Sequence, residues 1–197
     1  QIFEDIGLTF GSSLRSILRQ DPDVLLIGEI RDEETADIAV KFSLTGHLVF
    51  STVHANDAPG TLTRLLDIGI APFLVGSCLN LVMAQRLVRK LCDKCKESYT
   101  PTSDELALIG LGTKDVKGEL NKAKGCTDCR NTGYRGRTAI FEMIPMAREL
   151  RKLVFDSANE DEIRQAAIKN GMVTLRDAGN ERVLDGTTSV EEVLRST

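Results

Sequence analysis

Apolar and polar positions predict alternating strands and helices over residues 20–90. Two apolar runs have strand length: Val24–Ile27, and the run within "HLVFSTVHAND" at 47–57. Between them, "DEETADIAVKFSLTG" at 32–46 has apolar positions at helical spacing, with Asp32 placed to cap its start and Gly46 to end it. Strands that alternate with helices in this way predict an α/β architecture with a parallel sheet.

Four other segments are predicted to be helical before residue 112. Residues 8–20 carry apolar positions at helical spacing, and 57–70 predict a short helix followed by a Gly turn. We interpret 72–92, "PFLVGSCLNLVMAQRLVRKLC", as one long, mostly buried helix, and "TSDELALIGL" at 102–111 as another helix.

The composition changes at Cys92, and this change defines the predicted domains. Residues 1–91 are expected to form an α/β segment, 92–137 a tetracysteine metal-binding segment, and 138–197 a helical C-terminal region. In the last region, Ser189 and Glu192 have the spacing of a capping box.

Charge and composition exclude some classes of protein. The 197 residues are 42% hydrophobic and 27% charged, as in ordinary globular proteins. The net charge of −4 gives no support to general nucleic-acid binding. We find no secretory signal or membrane-spanning pattern. The chain begins with Gln1 rather than Met, so we expect it to be part of something longer.

Acidic and imidazole side chains follow the two predicted strands. Glu29 comes two residues after Ile27, and His54 follows "LVFSTV". Because the carboxyl ends of parallel strands open onto the ligand crevice, the carboxylate could meet Mg²⁺ or its bound water, and the imidazole a phosphate oxygen. The alternative for Glu29 is a solvated residue that caps the next helix together with Asp32.

Arginines near these strands fit the same chemistry, since Arg stabilises the negative charge that develops during phosphoryl transfer. Each is a weak signal alone, because a surface position is the ordinary one for Arg. The four candidates are Arg15, Arg19, Arg31 and Arg64.

Four of the five cysteines form two Cys-x-x-Cys pairs, Cys92/Cys95 and Cys126/Cys129. Zn²⁺ prefers four tetrahedral ligands of this kind, and four thiolates leave no position for a catalytic water. We therefore predict a structural zinc site, with a metal-free reduced state or a redox pair as alternatives. The remaining Cys78 is expected to be a small core residue.

Two motifs resemble the Walker B and His boxes of the secretion ATPases, hexameric motors of bacterial type II secretion and type IV pilus assembly. They are "RQDPDVLLIGEIRD" at 19–32 and "LTGHLVFSTVHAND" at 44–57, and both cysteine pairs and "GYRGRTAIFEM" extend the resemblance. The resemblance implies a partial RecA-like sheet, Glu29 as the Walker B glutamate, and His54 near the γ-phosphate. It also implies that the four arginines act at the nucleotide or between subunits.

The chain departs from that family in three respects, two of which are the absence of the family's acidic Asp box and of its N-terminal domain. No G-x-x-x-x-G-K-[ST] sequence occurs in it, so the loop that cradles the phosphates is missing. The resemblance therefore implies that residues 1–91 are the C-terminal part of a RecA-like ATPase core that is cut internally, and we expect this fragment to be inactive alone.

The resemblance implies ATP and Mg²⁺ as cofactors of the intact protein, in addition to Zn²⁺. Its implied partners are five further copies in a homo-hexamer, an inner-membrane platform and other secretion or pilus machinery, with no nucleic acid. The implied location is cytoplasmic, peripheral to the inner membrane. Two alternatives stay open: a zinc-stabilised protein-interaction module, in which Glu29 and His54 do not converge, and a DNA-translocating RecA-like motor.

Overall fold

The computed structural model describes residues 10–116 and 118–197, with the side chains of residues 10 and 18 outside the description. The first two residues of the helix predicted at 8–20 lie outside it as well. The elements in chain order are α1 (Phe10–Leu18), β1 (Val24–Ile27), α2 (Glu33–Leu44), β2 (Leu48–Ser51), α3 (Ala58–Asp67), α4 (Pro72–Cys78), β3 (Leu81–Leu91), β4 (Glu97–Tyr99), α5 (Ser103–Leu108), β5 (Leu120–Lys122), β6 (Tyr134–Pro145), α6 (Arg148–Phe155), α7 (Glu160–Lys169), α8 (Leu175–Leu184) and α9 (Val190–Ser196).

The fold is mixed α/β, as predicted, and its packing forms two compact units. Among the described residues, the first unit contains those up to Val82 together with Ile144–Gly171, and the second contains those of Met83–Met143 together with Met172–Thr197. The predicted division into three domains, at residues 1–91, 92–137 and 138–197, stays a prediction.

The first unit contains the predicted parallel sheet. β1 and β2 pair in parallel, with Val24 opposite Leu48 and Ile27 opposite Ser51. Leu25 and Ile27 are buried, so β1 turns one face into the core. Because the two strands run parallel, with α2 as the connection between them, their carboxyl ends lie at the same edge of this small sheet.

Helix α2 begins and ends where the sequence predicts. The Asp32 side chain accepts a hydrogen bond from the backbone N–H of Thr35 at 2.8 Å, and Gly46 follows the helix with φ +98°. An N-cap of this kind stabilises a helix by about 1 kcal/mol.

The remaining helices of this unit pack against one another, and two of the three pairs join helices that are far apart in the chain. α3 packs on α7, α4 on α6, and α6 on α7. Each of these helices carries at least one fully buried apolar side chain: Leu62, Val75, Leu150, Val154 and Ile163. The packing brings α7 beside the start of α3, close to the end of β2 in the chain.

The prediction of a single long helix over residues 72–92 is wrong. Helix α4 ends at Cys78, and residues 81–91 form strand β3, which pairs with β6. The segment is rich in helix-favouring Leu, Met, Gln, Arg and Lys, but pairing with a strand more than forty residues later overrides this preference.

The second unit is organised around β3, β6 and the helices α8 and α9. Val88, Ile140 and Leu175 form one buried cluster between the strands and α8. A second cluster joins α5 and β5 to α8 and α9 through Leu106, Ile109, Leu120, Val183, Val190 and Val193. Helices α6 to α9 lie in the region predicted to be helical, whereas residues 138–145 belong to strand β6.

No helix among the described residues is both long enough and apolar enough to cross a membrane.

Candidate functional site

Glu29 and His54 meet at the carboxyl edge of the parallel sheet. Nε2 of His54 lies 3.0 Å from Oε2 of Glu29. Because an ionised carboxylate can only accept, this nitrogen carries the proton and Nδ1 is free to accept in the neutral ring. Two residues 25 positions apart in the chain thus share one hydrogen bond.

The backbone continues the pairing of the two strands beyond their ends. The N–H of Ile30 donates to the carbonyl of Thr52 at 2.9 Å, and Oγ1 of Thr52 donates to the carbonyl of Gly28 at 2.7 Å. These bonds tie the loop that carries Glu29 to the loop that carries His54.

Arg31 forms an ion pair with the other carboxylate oxygen of Glu29. Its Nη2 lies 2.5 Å from Oε1, and the Glu29 side chain is about one-third exposed. The hydrogen bond from Arg31 is the main reason that the pKa of Glu29 lies below its usual value; burial opposes it, while the charge of Arg31 and the contact with His54 add to it. The site therefore holds a carboxylate that stays ionised at neutral pH.

The other predicted arginines lie in different surroundings. Arg64, near the end of α3, is exposed and lines a polar cavity together with His54. Nη1 of Arg15 pairs with Oε1 of Glu34 at 2.9 Å, and Arg19 is exposed in the turn after α1. The structure thus places Arg31 against Glu29, and it places Arg64 at the cavity beside His54.

The cavity beside His54 has a volume of about 230 Å³ and is bordered by acidic side chains that sequence reasoning did not single out. They are Asp57, Asp67 and Glu160. Asp57 had a detectable signal, because an Asp two residues before a Pro is typical of a helix N-cap. No sequence pattern predicts Glu160 at this cavity, because it reaches the cavity only through the packing of α7 on α3.

The four cysteines of the two pairs form one cluster in the second unit, and their Sγ atoms all lie within 4.8 Å of one another. Sγ of Cys92 lies 4.0 Å from that of Cys126, and Sγ of Cys95 lies 3.8 Å from that of Cys129. A tetrahedron with Zn–S bonds of about 2.3 Å has S–S edges of about 3.8 Å. The donor set and its spacing therefore fit a Zn²⁺ ion.

Backbone amides already support a thiolate in this cluster. Sγ of Cys129 accepts from the N–H groups of Cys126 and Gly133 at 3.1 and 3.2 Å. Burial raises the pKa of Cys129, but these hydrogen bonds and the contacts with the neighbouring thiols lower it by more, to about 6. Burial, with the contacts to the other three cysteines, raises the pKa of Cys95 to about 12. The cluster is thus prepared to hold one negative charge before a metal binds.

Gly133 is required by the geometry of the second cysteine pair. Its φ is +75°, and a Cβ placed on it would lie 2.5 Å from Cβ of Ala123. Only glycine combines this backbone conformation with so close an approach, and its N–H is one of the donors to Cys129.

Comparison with known proteins identifies the family. The family model described as "Type II/IV secretion system protein" matches residues 1–195. The chain is 52% identical to a type IV pilus assembly ATPase PilB of Myxococcus xanthus over 200 residues, with all of this chain and 35% of that protein covered. It is 49% identical to the type II secretion system protein E of Pseudomonas aeruginosa, again over the whole chain and 39% of that protein.

Solved structures show the same fold. The X-ray structure of the Legionella pneumophila ATPase DotB matches with a TM-score of 0.63 and 18% identity, over 94% of this chain and 41% of that one. The chain spans a little more than a third of the length of the two relatives. From the match over almost every residue and the high identity to these relatives, we conclude that the chain belongs to the family of type II/IV secretion system proteins.

Proposed function

We propose that this chain is the C-terminal part of a hexameric ATPase that powers pilus or pseudopilus assembly, in type IV pilus biogenesis or type II secretion. The observation that carries the proposal is the 3.0 Å contact between Glu29 and His54 at the carboxyl edge of a parallel sheet. The names of the relatives, a pilus assembly ATPase and a type II secretion protein, support it.

Each side chain at the sheet edge has a proposed role. Glu29 holds or polarises the water of a Mg²⁺–ATP complex, and its low pKa keeps it anionic for this task. His54 contacts the γ-phosphate, and its exposed ring is free to change partner when nucleotide binds. Arg15, Arg19, Arg31 and Arg64 serve the nucleotide or the neighbouring subunit.

The cysteine cluster has a structural role in this proposal. Bound to the four thiolates, Zn²⁺ would supply a cross-link between the end of β3 and the Gly-rich turn before β6. It would leave no open position for a catalytic water. The proposed location is cytoplasmic and peripheral to the inner membrane, beside a platform protein and the rest of the machinery.

The Glu29–His54 contact also favours an ATPase over a zinc-stabilised interaction module, because such a module gives no reason for these two side chains to meet. A DNA-translocating motor would need a basic groove, whereas this chain carries a net charge of −4. Retention on single-stranded DNA at low salt would favour that motor instead.

The test uses the full-length protein that contains this chain. We expect Glu29→Gln to lower kcat for ATP hydrolysis by about a hundredfold or more while ATP binding persists, since electrostatic groups at the reacting phosphate act mainly in the transition state. Glu33→Gln, which changes an exposed carboxylate in the first turn of α2, is the matched control and should leave kcat unchanged.

A Glu29→Gln protein that hydrolyses ATP at the wild-type rate would overturn the proposed role. The 197-residue chain itself lacks the P-loop sequence, so we expect no ATP turnover from it. Steady hydrolysis by this purified chain, free of contaminating ATPase, would contradict that expectation.

A further inference from the structure

The segment 52–57, which carries His54, is held at both of its ends. At its start, Thr52 bonds to the carbonyl of Gly28 and accepts from the N–H of Ile30, as described above. The side chain of His54 itself is 84% exposed. Burial therefore does not fix the imidazole, and its position depends on its hydrogen bond to Glu29 and on the backbone that carries it.

At the other end, Asp57 does two things with its two carboxylate oxygens. Oδ1 accepts from the N–H of Gly60 at 2.8 Å and caps helix α3, while Oδ2 accepts from Nη2 of Arg164 at 2.9 Å. The Asp57 side chain is 21% exposed and that of Arg164 is 29% exposed. An ion pair buried to this degree is screened by salt far less than a surface pair.

Arg164 comes from helix α7, far along the chain, and its orientation is fixed there. The same Nη2 lies 2.7 Å from Oε1 of Glu160, one turn earlier on α7. The other oxygen of Glu160 faces Oγ1 of Thr63 on α3 at 3.5 Å. The guanidinium is thus anchored on one helix and holds the first turn of another.

We propose that Arg164 is a positioning residue for His54. By holding Asp57, it fixes the backbone three residues after the imidazole and keeps Nε2 within reach of Glu29. The catalytic consequence of this inference rests on the function proposed above. A displacement of about 1 Å at a reacting centre can slow a reaction by about a hundredfold, so a side chain outside the site can control the rate.

Two substitutions separate the ion pair from the helix cap. Asp57→Asn keeps an oxygen that can cap α3, since Asn and Asp are comparable N-caps, but removes the charge that pairs with Arg164. Arg164→Gln removes the charge from the other side. In the full-length protein, we expect each to lower kcat for ATP hydrolysis about tenfold with KM for ATP unchanged, and the double variant to be no slower than either single one.

Two further variants serve as controls of the kinetic experiment. Arg164→Lys keeps the charge and should restore part of the lost kcat. Arg182→Ala removes a pair with Asp185 at 2.9 Å that is more exposed, and it should leave kcat unchanged. If Arg164→Gln slows the enzyme and Asp57→Asn does not, the residue acts through Glu160 or helix stability, and the inference is wrong.

A second measurement does not depend on catalysis. In the 197-residue chain, we expect Arg164→Gln and Asp57→Asn to accelerate hydrogen exchange of the amides of residues 53–60 about fivefold, with no change for Arg182→Ala. Unchanged exchange in this segment would overturn the positioning role. If the full-length wild-type protein does not hydrolyse ATP, the proposed function fails, and the exchange data still decide whether Arg164 holds the His54 segment.

Discussion

The substitution Glu192→Gln tests the packing of the second unit most directly. The Glu192 side chain has no exposed surface, and its carboxylate lies between two arginines. It accepts from the backbone N–H and Nε of Arg89 at 2.9 and 2.8 Å, and from Nε and Nη2 of Arg195 at 2.9 and 2.6 Å. The uncharged amide of Gln would turn an NH₂ group toward donors, and both guanidinium groups would lose their counter-charge.

Two independent routes give the size of the effect. Removing one partner of a buried ion pair costs about 3–5 kcal/mol. Burial raises the pKa of Glu192, but the hydrogen bonds from Arg195 and Arg89 lower it by more, from 4.5 to about 2. This difference corresponds to about 3 kcal/mol of folding free energy. Because both arginines are partly exposed, we expect the lower end, about 3 kcal/mol.

Tyrosine fluorescence gives a selective assay. The two tyrosines of the chain, Tyr99 and Tyr134, both belong to the second unit. Urea unfolding of the 197-residue chain at pH 7, followed by this signal, should show Glu192→Gln to be about 3 kcal/mol less stable than wild type. The neighbouring exposed residue supplies the control, and Glu191→Gln should change the free energy of unfolding by less than about 0.5 kcal/mol.

The pH dependence has a defined sign. A carboxylate with a lowered pKa in the folded state contributes stability above its unfolded pKa of 4.5, and this contribution is lost as pH falls toward about 2. The stability gap between wild type and Glu192→Gln should therefore narrow below pH 4.5, over the range in which both are folded. A gap that stays constant on acidification, or one below about 0.5 kcal/mol at pH 7, would refute the reasoning.

Two further predictions concern the cysteine cluster. Cys95→Ser removes one of the four thiolates, so it should abolish stoichiometric zinc binding and lower Tm, whereas the control Cys78→Ser should retain the metal. Elemental analysis measures the zinc content and thermal melting the Tm. Unchanged zinc content in Cys95→Ser would exclude the site. Gly133→Ala should destabilise the chain by more than Gly136→Ala in urea unfolding. Both glycines have positive φ, +75° and +76°, but only the first would meet another side chain, so equal losses would contradict the clash.

Local sequence signals predicted where Glu29 and His54 lie and that the four paired cysteines come together. The apolar run of β1, the Asp32 cap of α2 and the polar residues after both strands are short-range patterns, and they placed Glu29 and His54 at one edge of a parallel sheet. The spacing of the cysteine pairs likewise predicted the cluster that the structure shows. The strand, the cap and each cysteine pair depend on residues within a few positions of one another, and the shared sheet edge on the general geometry of parallel strands. The meeting of the two cysteine pairs is not local, because Cys92 and Cys126 are 34 positions apart.

Other features were decided only by tertiary packing. The run after Asn80 has helical composition but forms β3, because β6 offers it a pairing partner. The capping box predicted from Ser189 and Glu192 is half formed. The backbone N–H of Glu192 donates to Oγ of Ser189 at 3.3 Å, while the Glu192 carboxylate turns to Arg89 and Arg195.

No pattern in the sequence predicted the contact of Arg164 with Asp57. Arg164 follows its partner Asp57 by 107 residues and meets it only because α7 packs on α3. The sequence by itself determined the elements whose stabilising contacts are local, together with the kinds of side chain that each element carries. Tertiary structure decided where charge could be buried and which distant groups would meet, because those energies arise only when separate segments exclude water from the same place.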